Sequence, residues 1–360
     1  MAKPRLIAFY LPQFYPTQEN NIWWRKGFTE WTNVGNAKPL FKGHYQPRVP
    51  ADLGYYDLRI PEVREQQAEL AQEAGIEGFC YWHYWFSGRR LLDKVFKDVV
   101  ENKTPDYPFS LCWANHSWYQ KTWDPNKPNK LLIEQIYPGE NDYIAHFNEM
   151  LPAFKDKRYI KINGKLLFGV YAPLDIPNPK LFIDTWNNLA RENGLNGFYF
   201  FGFTFSPNEI ADIIKSGYDS AVYDNTIFVA KKQSTILQLT LKIKRKLFKV
   251  PYLIKYDNYI KSLLKNYNPQ NNIHPCIIPN FDHSPRSAHR GIIITESTPT
   301  KWKELCSKIF NRVKERNEEE NLVFIKAWNE WGEGNYLEPD LKFGKEYIQN
   351  TREAYESYKK

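Results

Sequence analysis

A short stretch near the C-terminus carries residues that could do acid–base chemistry. The segment IKAWNEWGEGNYLEPD (residues 325–340) places Glu330 and Glu333 three residues apart, next to Trp328, Trp331 and two glycines. Paired carboxylates suit glycosyl chemistry, because one donates a proton to the departing oxygen while the other stays ionised. Nearby indole rings would desolvate the pair, and its two charges would push the pKa values apart. The spacing alone does not say which acid takes which role, and two exposed loop acids remain the alternative.

Eight short apolar runs, rich in aromatic and β-branched residues, could position these acids. They alternate with helical patterns, as expected for βα units around a parallel sheet. The predicted strands are Arg5–Tyr10, Glu77–Trp85, Phe109–Asn115, Lys165–Tyr171, Gly197–Phe203, Ser220–Asp224, Cys276–Asp282 and Leu322–Trp328. Eight strands close a barrel, so the sequence predicts an α/β fold, a single (β/α)8 TIM barrel over residues 1–360. Two long βα loops, 11–60 and 115–141, interrupt the rhythm, and long loops tend to carry function.

In such a barrel the reactive groups lie at the C-terminal ends of the strands. The residues there that we expect to bind substrate are Tyr10, Gln13, Trp82, His83, Tyr84, Trp113, Asn115, His116, Trp118, Trp123, Tyr171, Asp224, Asp282 and Arg286, with Trp328 and Trp331 beside the acid pair. Core packing is the alternative for each tryptophan, and a satisfied hydrogen bond is the alternative for each histidine. Aromatic residues form 16% of the chain, and flat rings stack on the C–H faces of sugars.

The positive charge of the chain is uneven. The formal net charge is +8, and the segment Lys231–Lys265 is rich in lysine with Leu, Ile, Tyr and Phe between. It predicts a basic helical insertion at about 230–268, between strands 6 and 7, that is either solvated or a patch for an anionic membrane surface or an acidic glycan. No nucleic-acid module is recognisable, so that partner is not expected. No secretory signal or membrane span is apparent, which predicts a cytoplasmic protein. If the basic segment is a membrane patch, contact would be peripheral, at the inner membrane face.

Metal and cofactor chemistry lacks sequence support. The seven histidines are scattered singly, without an HxH or HExxH pattern, and the four cysteines show no CxxC spacing. A Gly-rich phosphate loop and a GxSxG elbow are absent as well. We therefore expect no metal site and no cofactor.

Five segments resemble a known family. AFYLPQFYP, GFTEWTNV, GIEGFCYWHYWF, LCWANHSW and WNEWGEGNYLEP are similar to the glycoside hydrolase family 99-like proteins, often called WbsX, of bacterial polysaccharide gene clusters, which are sometimes labelled glycosyltransferases. The resemblance runs from Arg5 to about Tyr358, and its most specific element is WNEWGEG followed by LEP. Through GFTEWTNV it adds Glu30 and Trp31 as pocket residues. FDHSPR only approximates the family pattern DNTPR, with His283 and Ser284 in place of Asn and Thr.

The resemblance implies a (β/α)8 barrel that acts on α-linked glycans with retention of anomeric configuration. It implies that Glu330 is a base on the sugar 2-hydroxyl, which attacks its own anomeric carbon to give a 1,2-anhydro sugar. Glu333 would protonate the leaving oxygen and later activate water. No sugar would become covalently linked to the enzyme.

Three functions remain open at this point. The first is a retaining glycoside hydrolase or transglycosylase that acts on an oligosaccharide or polysaccharide of bacterial-surface or O-antigen type. The second is a glycosyltransferase of O-antigen or capsule assembly, which would need a sugar nucleotide or a lipid-linked donor. The third is a glycan-binding barrel without activity, since fold alone does not guarantee catalysis.

Overall fold

Eight parallel strands form a closed barrel in the computed structural model, which describes residues 3–120, 129–231, 249–270 and 272–358. The barrel strands are β1 Arg5–Tyr10, β2 Gly78–Phe86, β3 Phe109–Trp113, β4 Lys165–Val170, β5 Phe198–Thr204, β6 Ser220–Asp224, β7 Ile273–Ile277 and β8 Leu322–Ile325. Each pairs in parallel with its neighbours in the chain, and β1 closes the ring by pairing with both β2 and β8. The predicted (β/α)8 barrel is therefore confirmed.

Helices surround the barrel and follow ordinary helix signals. Those that the structure describes are α1 Gln18–Trp23, α2 Glu30–Asn36, α3 Pro61–Ala74, α4 Lys94–Asn102, α5 Glu140–Phe154, α6 Pro179–Glu192, α7 Ile210–Lys215, α8 Thr226–Lys231, α9 Tyr256–Asn266, α10 Ser284–Ser287, α11 Pro299–Val313 and α12 Glu346–Glu356. Helix α3 begins with Pro61 and ends at Gly75, whose φ of 82° suits a glycine at a helix end. Helix α11 buries Trp302, Leu305 and Ile309, an apolar stripe at helical spacing. Within the described residues, no helix is long and apolar enough to cross a membrane.

Aromatic side chains fill the barrel interior. Phe9 of β1 stacks on Trp82 of β2, with ring centroids 4.5 Å apart and planes 7° apart. Phe9 also contacts Phe203 of β5 and Phe324 of β8, which in turn contacts Phe201. Because the strands are covered on both faces, by this interior and by the helices, their sequences are almost continuously apolar. This aromatic layer lies inside the barrel, and its Trp82 reaches the cavity described below.

Strand 7 differs from its predicted bounds. We expected Cys276–Asp282, but β7 covers Ile273–Ile277. Ile277 pairs with Ile325, the last residue of β8, so the chain beyond Ile277 has no barrel partner, and Pro279 lacks an amide hydrogen for a ladder. Phe281–Asp282 belongs instead to an outer three-stranded sheet with Ile292–Thr295 and Tyr252–Lys255.

The insertion between β6 and β7 is described in part. Its residues 232–248, which hold much of the lysine-rich run, lie outside the described residues. After them, Tyr252–Lys255 joins the outer sheet, and α9 buries Tyr256, Tyr259 and Leu263 on one face. This last portion is therefore packed onto the barrel, and the membrane contact of the basic run stays a prediction.

Short strands and 3-10 helices lie in the connections between the barrel strands and the helices. The shorter strands are Arg89–Leu91, Trp118–Gln120, Lys130–Ile133, Lys161–Ile162, Asn329–Glu330 and Asn335–Tyr336, and the 3-10 helices are Pro173–Asp175, Ala288–Arg290 and Trp331–Glu333. Of the two long loops, the first carries α1 and α2, and the second carries the hairpin of Trp118–Gln120 and Lys130–Ile133. Both loops supply walls of the cavity described next.

Candidate active site

A cavity of about 640 Å³ lies at the C-terminal ends of the barrel strands. A cavity of this volume is in the range that small-molecule binding sites occupy, roughly 300–1,000 Å³. It brings together many of the predicted site residues, namely Gln13, Glu30, Trp82, Tyr84, His116, Trp118, Tyr171, Arg286, Glu330 and Glu333. These residues come from the ends of several strands and from both long loops, as expected for a barrel of this type.

Other predicted residues point away from the cavity because side chains alternate along a strand. On β2, Trp82 and Tyr84 face the cavity, whereas His83 faces the helix layer. There the Nε2 atom of His83 lies 2.7 Å from Nε2 of His146 on α5. Trp113 of β3 also packs against His146, with ring centroids 5.0 Å apart.

Four further residues support the site from outside. The hydroxyl of Tyr10 donates to Gln67, at 2.7 Å, on the helix side of β1. Asn115 joins the loops after β3 and β4, since its amide group donates to the Ala172 carbonyl and its oxygen accepts from the Ala172 amide. The indole of Trp31 donates to a backbone carbonyl, and the indole of Trp328 is fully buried.

Trp331 is likewise outside the cavity. Its ring stacks on Tyr336 at 3.7 Å between centroids, and its indole N–H donates to Glu338 at 2.5 Å. Tyr56 and Gln67 donate to the same Glu338 carboxylate. The glutamate of the LEP segment therefore anchors the turn that presents the acid pair.

The two predicted aspartates are also withdrawn from the cavity. Asp224 is fully buried and accepts a hydrogen bond from the Thr226 amide, at 2.7 Å. Asp282 accepts from Gln46 and contacts the His44 ring, each at 2.7 Å. Burial alone would raise the pKa of Asp282, but His44 and its other partners lower it to about 2. Asp282 thus fastens the first long loop to the outer sheet. The predicted Trp123 lies outside the described residues.

Glu330 and Glu333 converge on one lysine. The chain turns after Glu330 into the 3-10 helix Trp331–Glu333, which brings both carboxylates to the cavity. The Nζ atom of Lys326 lies 3.1 Å from Oε2 of Glu333 and 3.5 Å from Oε2 of Glu330. Only 7% of the side chains of Lys326 and Glu330 is exposed, and 17% of that of Glu333. Both acids therefore line the same cavity.

Arg286 extends the charged network to the first long loop. Its Nη1 atom donates to Glu333 at 2.6 Å, and its Nη2 atom lies 3.0 Å from Oε2 of Glu30. Gly332 makes this approach possible, because a Cβ atom built there would lie 1.8 Å from Oε2 of Glu30. Among the described residues, no group of three or more His, Cys, Asp and Glu side chains is arranged to hold a metal ion. Arg286 and Lys326 instead lie between the three carboxylates.

The network separates the pKa values of the two acids. Burial, followed by the charge of Glu333, raises the pKa of Glu330 to about 7. No described group makes a hydrogen bond to its buried Oε2 atom, which fits this direction. Burial would also raise the pKa of Glu333, but Lys326 and Arg286 lower it below its usual range. Near neutral pH, Glu333 is therefore ionised, while Glu330 is protonated in part of the molecules.

Sequence reasoning missed Lys326 and an outer wall of the cavity. Lys326 follows the apolar strand β8, and a lysine directly after an apolar barrel strand was the available signal. The outer wall contains Trp24 and Phe28 of the first long loop and Tyr119 of the hairpin. No sequence periodicity marks these rings, because Trp24 and Phe28 follow the short helix α1 and Tyr119 lies in a strand of three residues. Only the aromatic composition of the two loops could have indicated them.

Solved structures share the fold. A protein described as a glycoside hydrolase-like protein superposes with a TM-score of 0.65 at 15% sequence identity, over 99% of this chain and 94% of that one. A GH99 endo-α-mannosidase from Bacteroides thetaiotaomicron gives a TM-score of 0.56 at 13% identity, over 99% and 98% of the two chains. At these identities the likeness establishes the barrel architecture alone.

Sequence relatives identify the family. Two strains of Xanthomonas campestris pv. campestris contain a protein described as uncharacterized protein WxcX that is 35% identical over 358 residues, or 97% of this chain. The chain spans about half the length of these relatives, 49%. The model of the family described as Glycosyltransferase WbsX matches residues 6–351. The chain therefore belongs to the WbsX family.

Proposed function

We propose that this protein is a retaining glycoside hydrolase that cleaves α-linked glycans of bacterial polysaccharide or O-antigen type. The observation that carries the proposal is the acid pair, Glu330 and Glu333, which shares the ammonium group of Lys326 in a cavity walled by aromatic rings. Cleavage of a glycosidic bond needs one protonated and one ionised group near the anomeric carbon. Divergent pKa values supply this state near neutral pH.

The cavity walls suit a sugar. Trp82 lies at its inner end, with Tyr171 edge-on to it at 5.6 Å between ring centroids. Tyr84, Gln13 and His116 add hydroxyl, amide and imidazole groups to the lining. Ring faces with a few polar groups between them are the composition that a pyranose needs, because its C–H faces are apolar and its rim carries hydroxyls.

The closeness of the two acids favours retention. Because one amino group contacts both carboxylates at 3.1 Å and 3.5 Å, the two contacting oxygens lie no farther apart than about the lower end, ~6.5 Å, of the separations of inverting enzymes. We propose the route through a 1,2-anhydro sugar, in which one acid of the pair takes the proton of the 2-hydroxyl, O2 attacks the anomeric carbon, and the other acid donates a proton to the leaving oxygen as the glycosidic bond breaks. Water then opens the anhydro ring at the anomeric carbon, gives its proton to the second acid, and O2 regains a proton from the first. The pair holds one proton throughout, and the original distribution is restored.

The roles within the pair depend on the bound sugar. Resemblance makes Glu330 the base and Glu333 the acid, whereas the charges of Lys326 and Arg286 beside Glu333 favour the proton on Glu330. A sugar hydroxyl that donates to Glu330 would stabilise its ionised form, and a glycosidic oxygen beside Glu333 would draw the proton there. The total of one proton on the pair is the same in both arrangements, so we assign the pH dependence to the pair.

Two substitutions test the proposal. We expect Glu330→Gln and Glu333→Gln each to lower kcat on an activated α-glycoside by about 100-fold or more, since general acid–base catalysis contributes ~10²–10⁴-fold. Glu318→Gln on the exposed surface is the matched control and should leave kcat unchanged. Proton NMR of the first-formed product reports its anomeric configuration. Full turnover in both variants would remove the acid pair from the mechanism, and an inverted product would remove retention.

A glycosyltransferase is the second candidate, and the name of the family, Glycosyltransferase WbsX, favours it. Such an enzyme would use the same acid pair to activate an acceptor hydroxyl and would bind a sugar nucleotide or a lipid-linked donor. Calorimetric titration with sugar nucleotides separates the candidates. Saturable binding together with transfer to an added oligosaccharide would support the transferase, while glycan cleavage without a nucleotide supports the hydrolase. Oligosaccharide that binds and survives long incubation would identify a binding protein instead.

A further inference from the structure

The cavity has two chemically different halves. Its inner half holds the charged groups Glu30, Arg286, Lys326, Glu330 and Glu333. Its outer wall is lined by Asn20, Trp24, Phe28, Asn33, Ser117, Trp118, Tyr119 and Leu132, a set without a formal charge. The acid pair and its cations account for the inner half. Of the outer wall, Asn33 donates to Glu30 at 3.4 Å, whereas Trp24 and Tyr119 are not part of this charged network.

Two rings of the outer wall are unusually exposed. Trp24 is 43% exposed and Tyr119 is 50% exposed, whereas the structure buries most of its other large aromatic side chains. Tyr55, at 52%, is the third large aromatic residue in this exposed class among the described residues, and it does not line the cavity. Large rings that face water beside a cavity are a common sign of a binding surface.

The Trp24 side of the wall is held in place without a ligand. The ring of Trp24 stacks on the buried Phe28, with centroids 5.5 Å apart and planes 24° apart. The Trp24 amide donates to the Asn20 carbonyl at 3.0 Å, and the Gly27 amide donates to the Asn21 side chain at 2.7 Å. Trp24 therefore presents a ring face that is already oriented.

The Tyr119 side is built on the hairpin of the second long loop. Tyr119 pairs with Leu131 across the two strands. The preceding residue, Trp118, packs edge-on against Tyr84 at 5.1 Å and against Trp23 at 5.8 Å between centroids. Because Tyr84 belongs to β2 and Trp23 to α1, Trp118 ties the hairpin to the barrel and to the opposite wall. An ordered surface loses less conformational freedom when it binds.

We propose that Trp24 and Tyr119 form a second sugar subsite, outside the acid pair, that binds further units of a neutral glycan chain. This inference rests on the function proposed above. Uncharged ring faces match the C–H faces of pyranoses, and the absence of a charged side chain from this wall, as far as the chain is described, offers no partner for a uronic acid or phosphate substituent. The substrate is accordingly a chain of several sugars, and a small activated glycoside uses the inner half alone.

Substitutions in the outer wall test the subsite. The variants are Trp24→Ala and Tyr119→Ala, with Tyr55→Ala as an equally exposed aromatic control and Trp24→Phe as a conservative variant that keeps a ring. We expect KM for a neutral bacterial surface polysaccharide to rise by about tenfold in each alanine variant, the change that corresponds to ~1.4 kcal/mol. KM and kcat for the activated glycoside should stay at the wild-type values, and Trp24→Phe should retain most of the polysaccharide affinity.

The outcomes separate this inference from the proposed function. An unchanged KM for the polysaccharide in both alanine variants would overturn the subsite and leave the hydrolase intact. If the wild-type protein cleaves neither substrate, electrophoresis in native gels that contain the polysaccharide still decides. Retardation that is lost in Trp24→Ala and Tyr119→Ala but kept in Tyr55→Ala supports the subsite, and equal retardation of all variants rejects it. Stronger retardation by an acidic polysaccharide would reject the neutral class.

Discussion

Lys326 and Glu333 form a buried ion pair just beyond the last barrel strand, with 3.1 Å between Nζ and Oε2. Burial opposes the charge of Lys326, but Glu333, Glu330 and Asp224 raise its pKa above the usual value, so the group stays an ammonium ion. Removing one partner of a buried pair leaves the other charge uncompensated. Lys326, together with Arg286, therefore influences how many protons the acid pair holds at a given pH.

Substitution of Lys326 should move the pH profile of the enzyme. Lys326→Gln removes a cation that favours the ionised forms of both glutamates, so both pKa values rise, by about one unit or more. The pair needs one proton, and wild-type activity should fall as the pH rises through about 7, the pKa of Glu330. In the variant, this decrease of kcat/KM at alkaline pH should occur at a higher pH than in the wild type. The measurement is the initial rate on an activated glycoside between pH 4 and 9, chosen as roughly the range in which carboxyl groups of raised pKa titrate.

A matched control distinguishes charge from packing. Lys326→Arg keeps the positive charge and should keep the decrease of kcat/KM near its original pH, even where the larger guanidinium lowers kcat. Lys301→Gln removes a surface lysine that lies 3.0 Å from Asp257, remote from the cavity, and should leave the profile unchanged. A profile of Lys326→Gln that superposes on the wild-type profile would show that this lysine does not tune the acids.

Gly332 should not tolerate a side chain. A Cβ atom at this position would lie 1.8 Å from Oε2 of Glu30 and 3.0 Å from Nε of Arg286, so the ion pair between them must move. Since Arg286 also holds Glu333, we expect Gly332→Ala to lower kcat by about 10-fold to 100-fold, the scale for a catalytic group displaced by ~1 Å. Gly35→Ala, where nothing lies within 4 Å of an added Cβ, is the control and should keep full activity. Wild-type kcat for Gly332→Ala would show that Glu30 and Arg286 do not position the acid.

The sequence was sufficient to predict the barrel, and it singled out the acid pair as the candidate site, for physical reasons. Parallel strands that are buried on both faces have almost continuously apolar sequences. Eight consecutive βα units are the number that closes a barrel. The conjunction of two acids with glycines and indole rings marked the turn after Glu330. Strand ends could be located only to within a few residues, as the shortened β7 shows. The fold prediction does not depend on those boundaries.

Side-chain direction was harder to predict than position. His83 lies between Trp82 and Tyr84 in the sequence, yet its ring enters the helix layer while theirs face the cavity. One residue of uncertainty in the phase of a strand reverses such an assignment. Contacts between residues far apart in the sequence could not be predicted either. No local sequence pattern connects Glu30 with Arg286, 256 residues away, or Gln46 with Asp282.

Glu338 should be needed to hold the turn that carries Glu330 and Glu333. Its carboxylate accepts hydrogen bonds from Tyr56 at 2.8 Å and from Trp331 and Gln67 at 2.5 Å each. In Glu338→Gln one acceptor atom becomes an NH₂ group that faces these donors. We expect a loss of about 1–3 kcal/mol in the free energy of unfolding, as for an unsatisfied buried polar group. Urea denaturation at pH 7 measures it, and an unchanged midpoint and slope would contradict it.

The same carboxyl gives a pH signature. Burial raises the pKa of Glu338 to about 7 in the folded state, against 4.5 for an ordinary glutamate. The folded protein then binds more protons than the unfolded chain between these values, so the wild type gains stability from this group as the pH falls from 8 to 5.5. Glu338→Gln lacks that gain, and its deficit relative to the wild type should widen by about 2 kcal/mol over this interval. A constant deficit would show that the carboxyl is ionised throughout.

Asp282 should contribute to stability, with the opposite pH dependence. Its carboxylate accepts from Gln46 and contacts His44, and its folded pKa of about 2 lies below the ordinary 3.8. The unfolded chain binds the proton more tightly, so the contribution is complete above pH 3.8 and is lost as the pH falls through 2. We expect Asp282→Asn to cost about 2 kcal/mol at pH 7, and about half of that cost at pH 3. Urea denaturation of both proteins at the two pH values tests this, with Asp52→Asn as the control for a partly exposed aspartate. Equal stability of Asp282→Asn and wild type at pH 7 would mean that the loop is fastened by its other contacts, such as the bond from Arg48 to Asn280 at 2.5 Å.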